Sequence, residues 1–186
     1  ILTVLVSAAL AAAPASASTP PRTFIVIDAA SGQVLLDQAP DLEVHPASLT
    51  KMMTLYLLFD ALRSGRLKMS SRIKFSRKAS RQTPSKLGVR AGRSISVRTA
   101  IQALAIKSAN DVAVAVAERL GRTEKRFAQK MNAKARALGM SRTNVVNASG
   151  LHQPDQVSTA RDMARLARVS SYNPCSQQEL HQRMSA

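Results

Sequence analysis

The chain has 186 residues, a formal net charge of +16, 45% hydrophobic residues, 3% aromatics and no tryptophan. That length suits one medium domain or two small ones, with a core drawn from Ala, Val, Leu, Ile and Met. Its single cysteine, Cys175, excludes an intramolecular disulfide, and no Cys/His cluster has zinc-ligand spacing, so neither a structural metal nor a cofactor is expected.

Residues 1–17 read as part of a secretory signal peptide. Ile1 to Ala13 is apolar but short for a bilayer span, and Ala15-Ser16-Ala17 follows as a small-x-small cleavage site. The chain is read as starting inside that peptide; a plain N-terminal anchor helix is the alternative. Either reading puts the bulk of the protein outside the cytoplasm, in the periplasm or cell envelope. Residues 18–170 form the folded unit, and the periodicity stops at a tail, residues 171–186.

After Ser18-Thr19-Pro20-Pro21, residues Thr23 to Asp28 and Gln33 to Asp37 alternate as two strands around a four-residue turn ending in Gly32, which predicts a β-hairpin. Polar chain then leads to His45-Pro46-Ala47-Ser48-Leu49-Thr50-Lys51. Pro46 disfavours helix at His45, so Ser48 falls at a helix mouth, where unpaired N–H groups and the positive end of the dipole collect. Ser48 and Lys51, three apart, share one helix face, and a hydroxyl and an amine so placed share a proton. By itself the Ser-x-x-Lys spacing is weak, because it recurs by chance in helices. The run Met52 to Leu62 is apolar on nearly every face, which predicts a buried helix ended by Gly65.

From Arg63 to Arg98 there are twelve Lys/Arg and no Asp or Glu. A solvated basic face is the plain reading; an anionic membrane surface or wall polymer is the sharper one. Nucleic acid is not expected, because stacking aromatics and a reading motif are missing. This segment reads as a loop-rich lobe with short apolar pieces such as Ile73-Lys74-Phe75.

Helices are predicted from Ser96 to Ile106, capped by Ser94 or Ser96, and from Asp111 to Arg119, closed by Gly121. Between them Ser108-Ala109-Asn110 interrupts the apolar period. Ser and Asn at such a junction are ordinarily caps, but they also point into a cleft when one lies there. A third helix, Thr123 to Leu138, turns Phe127, Met131 and Leu138 inward and Lys125, Lys130 and Lys134 outward. Asn144 to Leu151 is a loop, and Ser158-Thr159-Ala160-Arg161-Asp162 begins a fourth helix with Met163, Leu166, Ala167 and Val169 on its apolar side. His45, His152 and His181 are scattered and read as structural or exposed.

Taken together these segments resemble the low-molecular-mass, penicillin-binding serine D-alanyl-D-alanine carboxypeptidases. Pro46 to Met53 is similar to the nucleophile motif of that family, Lys107 to Ala113 to its Ser-x-Asn motif, and Ser85-Lys86-Leu87-Gly88 to a segment between them. Asn147-x-x-Gly150-Leu151 and Ser158 to Ala164 also fit, so the resemblance runs from about Thr23 to Val169. It implies an α/β (α+β) β-lactamase/transpeptidase-like fold, a helical cluster around a buried nucleophile helix packed on an antiparallel sheet of which the N-terminal hairpin is present. It also implies that Ser48 attacks the carbonyl between the terminal D-alanines of a peptidoglycan stem peptide, and that β-lactams acylate the same serine. Lys51 is the implied general base, Ser108 the relay to the leaving amine, Asn110 a substrate-amide ligand and the Ser48 N–H one oxyanion donor.

The family's third motif, Lys-Thr-Gly on an inner strand, has no counterpart: no Lys follows Lys134 and no Gly follows Gly150. The expectation is a C-terminally truncated or frame-shifted member, short of the second oxyanion donor and the cation for the substrate carboxylate, with Met52, Leu55 and Leu58 left uncovered. A class A β-lactamase is disfavoured, because its deacylating glutamate has no counterpart between Glu124 and Glu179. The alternatives are a D,D-endopeptidase of the same family and a non-catalytic basic protein that binds wall polymer or nucleic acid.

Overall fold

The computed structural model describes residues 22–172, so the expected signal peptide, Cys175, His181 and all of the tail beyond Tyr172 lie outside the described residues. The chain enters through β1 (Phe24–Ile27) and returns antiparallel through β2 (Val34–Gln38), with Phe24 opposite Gln38 and Ile27 opposite Val34. The Asp28 carboxylate accepts the Ser31 N–H at 2.7 Å and its hydroxyl at 2.6 Å, which closes the turn.

A 3₁₀ turn (Ala47–Leu49) then leads into α1 (Thr50–Arg63). The basic lobe is more regular than its sequence suggests. β3 (Arg72–Lys74) pairs antiparallel with β4 (Ser94–Ser96), and α2 (Arg77–Ser80) lies between them in sequence, its N-terminus capped by the Ser76 hydroxyl. The hairpin is therefore joined by a second small sheet. Ile73 is fully buried while Arg72 and Lys74 are exposed, the two-residue alternation of a strand with one covered face.

Helix α3 (Val97–Lys107) is capped by Ser96, whose hydroxyl accepts the Thr99 N–H. Helix α4 (Asn110–Gly121) opens one residue before the expected Asp111. Helix α5 (Glu124–Ala137) is capped by Thr123, and α6 (Ala160–Ser171) by Thr159 and extends one residue past the expected end. Two side chains differ from expectation. Lys134 turns back to Asp60 at 3.1 Å and lies over the Tyr56 ring at 5.4 Å, because α5 packs beside α1. Ala167 is exposed on α6, whose buried contact is Leu166.

The deepest element is α4. Every residue from Asn110 to Ala117 is buried, and the helix touches α1, α2, α3, α5 and β3. Its Val-Ala alternation suits strands as well as helices, yet the alanines between the valines let five neighbouring elements approach closely. Leu58 is also fully buried, by elements present here, which corrects the expectation that it is uncovered; Met52 and Leu55 are half-buried. Much of the apolar exposure lies instead on the hairpin, where Val26, Leu35 and Leu36 face solvent, with Leu49 and Ile106 exposed as well.

Gly121 sets the α4 to α5 corner. A Cβ there would stand 2.7 Å from both the backbone nitrogen and the Cβ of Phe127, which is fully buried. Gly121→Ala gains about 1 kcal/mol of helix propensity, whereas overpacking against backbone costs about 1–3 kcal/mol. The expected outcome is a lower denaturant midpoint with an unchanged slope; a midpoint that rises would refute this account of the corner.

Candidate active site

The approach to the nucleophile turn is clamped from both sides. Val44 exchanges backbone hydrogen bonds with Ser158, and Arg161 at the start of α6 holds the Asp41 carboxylate at 2.8 and 3.1 Å. That hydrogen bond holds the Asp41 carboxyl below its ordinary range. Between the clamp and α1, Ala47 has φ +46, a conformation that costs a non-glycine residue about 1–3 kcal/mol. Ser48 follows, exposed at the mouth of α1. No carbonyl of the described residues takes its backbone N–H.

Lys51 lies one turn deeper and is only 3% exposed. Its Nζ is 3.2 Å from Ser48 Oγ and donates to the Ser149 carbonyl at 2.6 Å. No carboxylate pairs with it among the described residues. Burial with no countercharge pushes the amine down from 10.5 to about 8. The pair can therefore do what its spacing suggested: a neutral amine one hydrogen bond from a hydroxyl can take that hydroxyl's proton.

The carbonyl is held by a loop that the sequence reading noticed without giving it a role. Asn147 Oδ1 accepts the N–H groups of Ser149 at 3.2 Å and Gly150 at 2.8 Å, while its Nδ2 donates to Leu151 O at 2.7 Å. Gln156, buried at 1% exposure, accepts from the Val146 and Asn147 N–H groups and donates to Thr50 Oγ1 at 3.1 Å. Thr54 Oγ1 donates to Ala148 O at 2.8 Å. Gly150 has φ +82, and a Cβ there would fall 1.8 Å from the Ala47 carbonyl oxygen. Only glycine lets this loop lie against the nucleophile turn. His45 joins the network by donating Nδ1–H to Gln156 O at 2.8 Å, and its ring meets His152 edge-on at 4.5 Å.

Ser108 and Asn110 stand at the α3 to α4 junction. Ser108 ends α3 with φ +53, half-buried, and its hydroxyl has no hydrogen-bond partner among the described residues. Asn110 is 5% exposed; its Nδ2 donates to Thr83 O at 3.1 Å and Pro84 O at 3.3 Å, and its N–H to Ser85 O at 2.7 Å. That leaves Oδ1 as the open group of its amide. Next to it Asp111, fully buried, accepts the N–H groups of Leu87 and Gly88, both at 2.9 Å, and so ties Ser85 to Gly88 to the start of α4.

The structure thus joins Ser48 to Lys51 by a hydrogen bond and holds Ser108 with Asn110 on helices packed against α1; neither of the second pair bonds directly to the first. Sequence reasoning missed Ser149, Gln156 and Asp111. The cluster Asn147-Ala148-Ser149-Gly150 carries a signal, the short polar residues of an Asx turn beside a glycine. A lone Gln156 carries none. Among the described residues no group of three His, Cys, Asp or Glu stands together as a metal site.

Comparison with known proteins gives the family and the fold. The sequence profile of the D-alanyl-D-alanine carboxypeptidases matches residues 9–185. The chain is 35% identical over 147 residues to the D-alanyl-D-alanine carboxypeptidase DacF of Bacillus subtilis, an alignment covering 79% of this chain and 38% of DacF. It is 33% identical over 190 residues to a D-alanyl-D-alanine endopeptidase of Pseudomonas aeruginosa, covering 94% of this chain and 58% of that one. The solved D-alanyl-D-alanine carboxypeptidase DacD of Francisella tularensis superposes with a TM-score of 0.81 at 34% identity, covering 90% of this chain and 41% of DacD. The 186 residues therefore span about two fifths of the length of these carboxypeptidases. With a profile match over most of its length and the α+β architecture of its relatives, the chain belongs to the D-alanyl-D-alanine carboxypeptidase family.

Proposed function

We propose that Ser48 is the acylated nucleophile of a D-alanyl-D-alanine carboxypeptidase acting on peptidoglycan stem peptides in the cell envelope, and that Lys51 is its general base. One observation carries this reading: the buried Lys51 amine reaches Ser48 Oγ at 3.2 Å while a backbone carbonyl, not a carboxylate, holds its other side. Ser48 Oγ gives its proton to Lys51 Nζ as it attacks the carbonyl carbon of the penultimate D-alanine. The oxyanion takes the free Ser48 N–H. The peptide bond breaks as Lys51 Nζ hands that proton through Ser108 Oγ to the leaving D-alanine nitrogen; water then adds to the acyl-serine, its hydroxyl ending on the released peptide and its other proton on Ser48 Oγ. Asn110 offers Oδ1 to a substrate amide N–H.

β-Lactams, whose strained amide mimics that bond, acylate Ser48 by the same route. Purified protein mixed with a fluorescent penicillin is expected to take up one label per chain. Ser48→Ala abolishes the label; labelling that survives the substitution removes Ser48 from the mechanism.

The pH dependence follows from the lysine. Only the neutral amine accepts the serine proton, so acylation is slow below the Lys51 value and rises through about 8 to a plateau. At pH 6 about one chain in a hundred holds the neutral amine, and labelling slows by about that factor relative to the plateau. Lys51→Arg keeps the charge at every accessible pH and loses the rise. A flat profile between pH 6 and 9 contradicts the general-base role.

The P. aeruginosa relative, aligned over nearly this whole chain, favours a second reading in which the scissile bond is the D,D cross-link. Digestion of defined muropeptides separates the two. Carboxypeptidase action releases free D-alanine and leaves cross-linked dimers intact, and that is the outcome expected; dimer cleavage without D-alanine release establishes the endopeptidase.

A further inference from the structure

Residues 63–98 hold twelve of the net sixteen positive charges, which leaves +4 to the other 150 residues. The fold gathers these cations into one lobe. Arg72 and Lys74 stand on the outer face of the β3 and β4 sheet, opposite Ser96 and Ser94, so two long cations rise from a surface otherwise paved with small hydroxyls. The Arg72 guanidinium lies across the pair and donates to Ser94 O at 2.7 Å. Arg77 on α2, Arg81 after it, and Arg90 and Arg93 before β4 lie on the chain that joins the two strands, all exposed.

Local acids offset the charge of the lobe only in part. Arg63 pairs with Asp60 and Lys78 with Glu124, but Arg72, Lys74, Arg77, Arg81, Arg90 and Arg93 have no carboxylate partner among the described residues. Two further carboxylates touch the lobe through neutral donors, Glu118 through the Ser76 hydroxyl and Asp111 through the Leu87 and Gly88 N–H groups, while Asp37 and Asp41 pair with Arg161 and Asp162 with Arg165. So concentrated a like-signed field raises the energy of the folded chain unless a counter-charge meets it.

The surface chemistry narrows the partner. The large apolar side chains exposed among the described residues all lie outside residues 63–98, and the lobe's one aromatic, Phe75, is fully buried. The lobe has nothing to stack on a nucleobase and no wedge for a hydrocarbon layer. It has guanidinium forks for phosphodiesters on a flat two-stranded platform. We infer that this lobe docks reversibly, by charge and without insertion, on the phosphate headgroups of an anionic lipid bilayer. Because Ser85 to Gly88 belongs to the same segment and is tied to the start of α4, docking brings the Ser108 and Asn110 junction close to the bilayer surface.

The test is co-sedimentation of the full chain with phosphatidylglycerol-containing vesicles and with vesicles of phosphatidylcholine alone. The difference between the two isolates charge from any apolar contribution of residues 1–17. Binding to the anionic vesicles is expected to exceed binding to the neutral ones, and to be released as salt shortens the screening length from about 10 Å at 0.1 M to about 3 Å at 1 M. Arg72→Gln and Lys74→Gln each lower partition about fivefold, and together about thirtyfold. Lys125→Gln with Arg126→Gln on α5 removes the same charge outside the lobe and leaves partition nearly unchanged. Equal binding to both vesicle types overturns the proposal, and so does an equal loss in the α5 variant. Retention on a soluble polyphosphate chain with no vesicle binding also overturns it, and assigns the lobe to a linear polyanion. None of these readouts uses the acylation of Ser48.

Discussion

A buried amine held by a carbonyl oxygen instead of a carboxylate is the constraint on which the rest of this site depends. A carboxylate near Lys51 would stabilise the ammonium and raise its proton affinity. The Ser149 carbonyl at 2.6 Å satisfies the donor without supplying a full countercharge, so desolvation prevails and the amine falls to about 8. That outcome requires the carbonyl to be fixed, because a mobile loop would admit water beside the amine and return it towards its ordinary value. Asn147, Gln156, Thr50 and Thr54 fix it with side-chain hydrogen bonds, and Gly150 gives it the room to lie against Ala47.

Such a site is costly to build. Ala47 and Ser108 both hold positive φ, at about 1–3 kcal/mol each, and both border groups assigned to the chemistry. Strain of this kind persists only where the surroundings over-determine the backbone. Helix α4 supplies much of that: Val112, Val114 and Val116 are buried to 1% or less, and each such side chain contributes about 1.5–3 kcal/mol. The helix that starts at Asn110 therefore stabilises, along its length, the junction strained at its mouth.

Much of this was legible in the chain. Ser48 and Lys51 were legible as neighbours on one helix face beside Pro46, a spacing weak by itself that gained weight from the Ser108-Ala109-Asn110 junction and the flanking motifs. The helices were legible through their apolar period, with Ser96, Thr123 and Thr159 each accepting the N–H three residues on. What stayed hidden has a common character. Gln156 reaches Thr50 across 106 residues and Lys51 reaches Ser149 across 98, contacts made by tertiary folding that no local period records. Lys134 looked solvent-facing because its own helix placed it there, and only the packing of α5 beside α1 brought Asp60 and Tyr56 under it. The regularity of the basic lobe was obscured in the same way, since β3 and β4 are three residues each and pair across a nineteen-residue gap.

The contrast between the two charged regions follows from burial alone. Lys51 is a lone cation inside the protein, and with water excluded its cheapest response is to lose the proton. The cations of the lobe are solvent-exposed, and their mutual repulsion is eased by screening and by anions that meet them from outside. One chain thus holds a lysine amine depressed to about 8 where it is buried and carries Lys/Arg as surface charge where they are exposed. The Ser85 to Gly88 segment, anchored by Asp111 at one side and continuous with Arg81 and Arg90 at the other, joins the lobe to the start of α4.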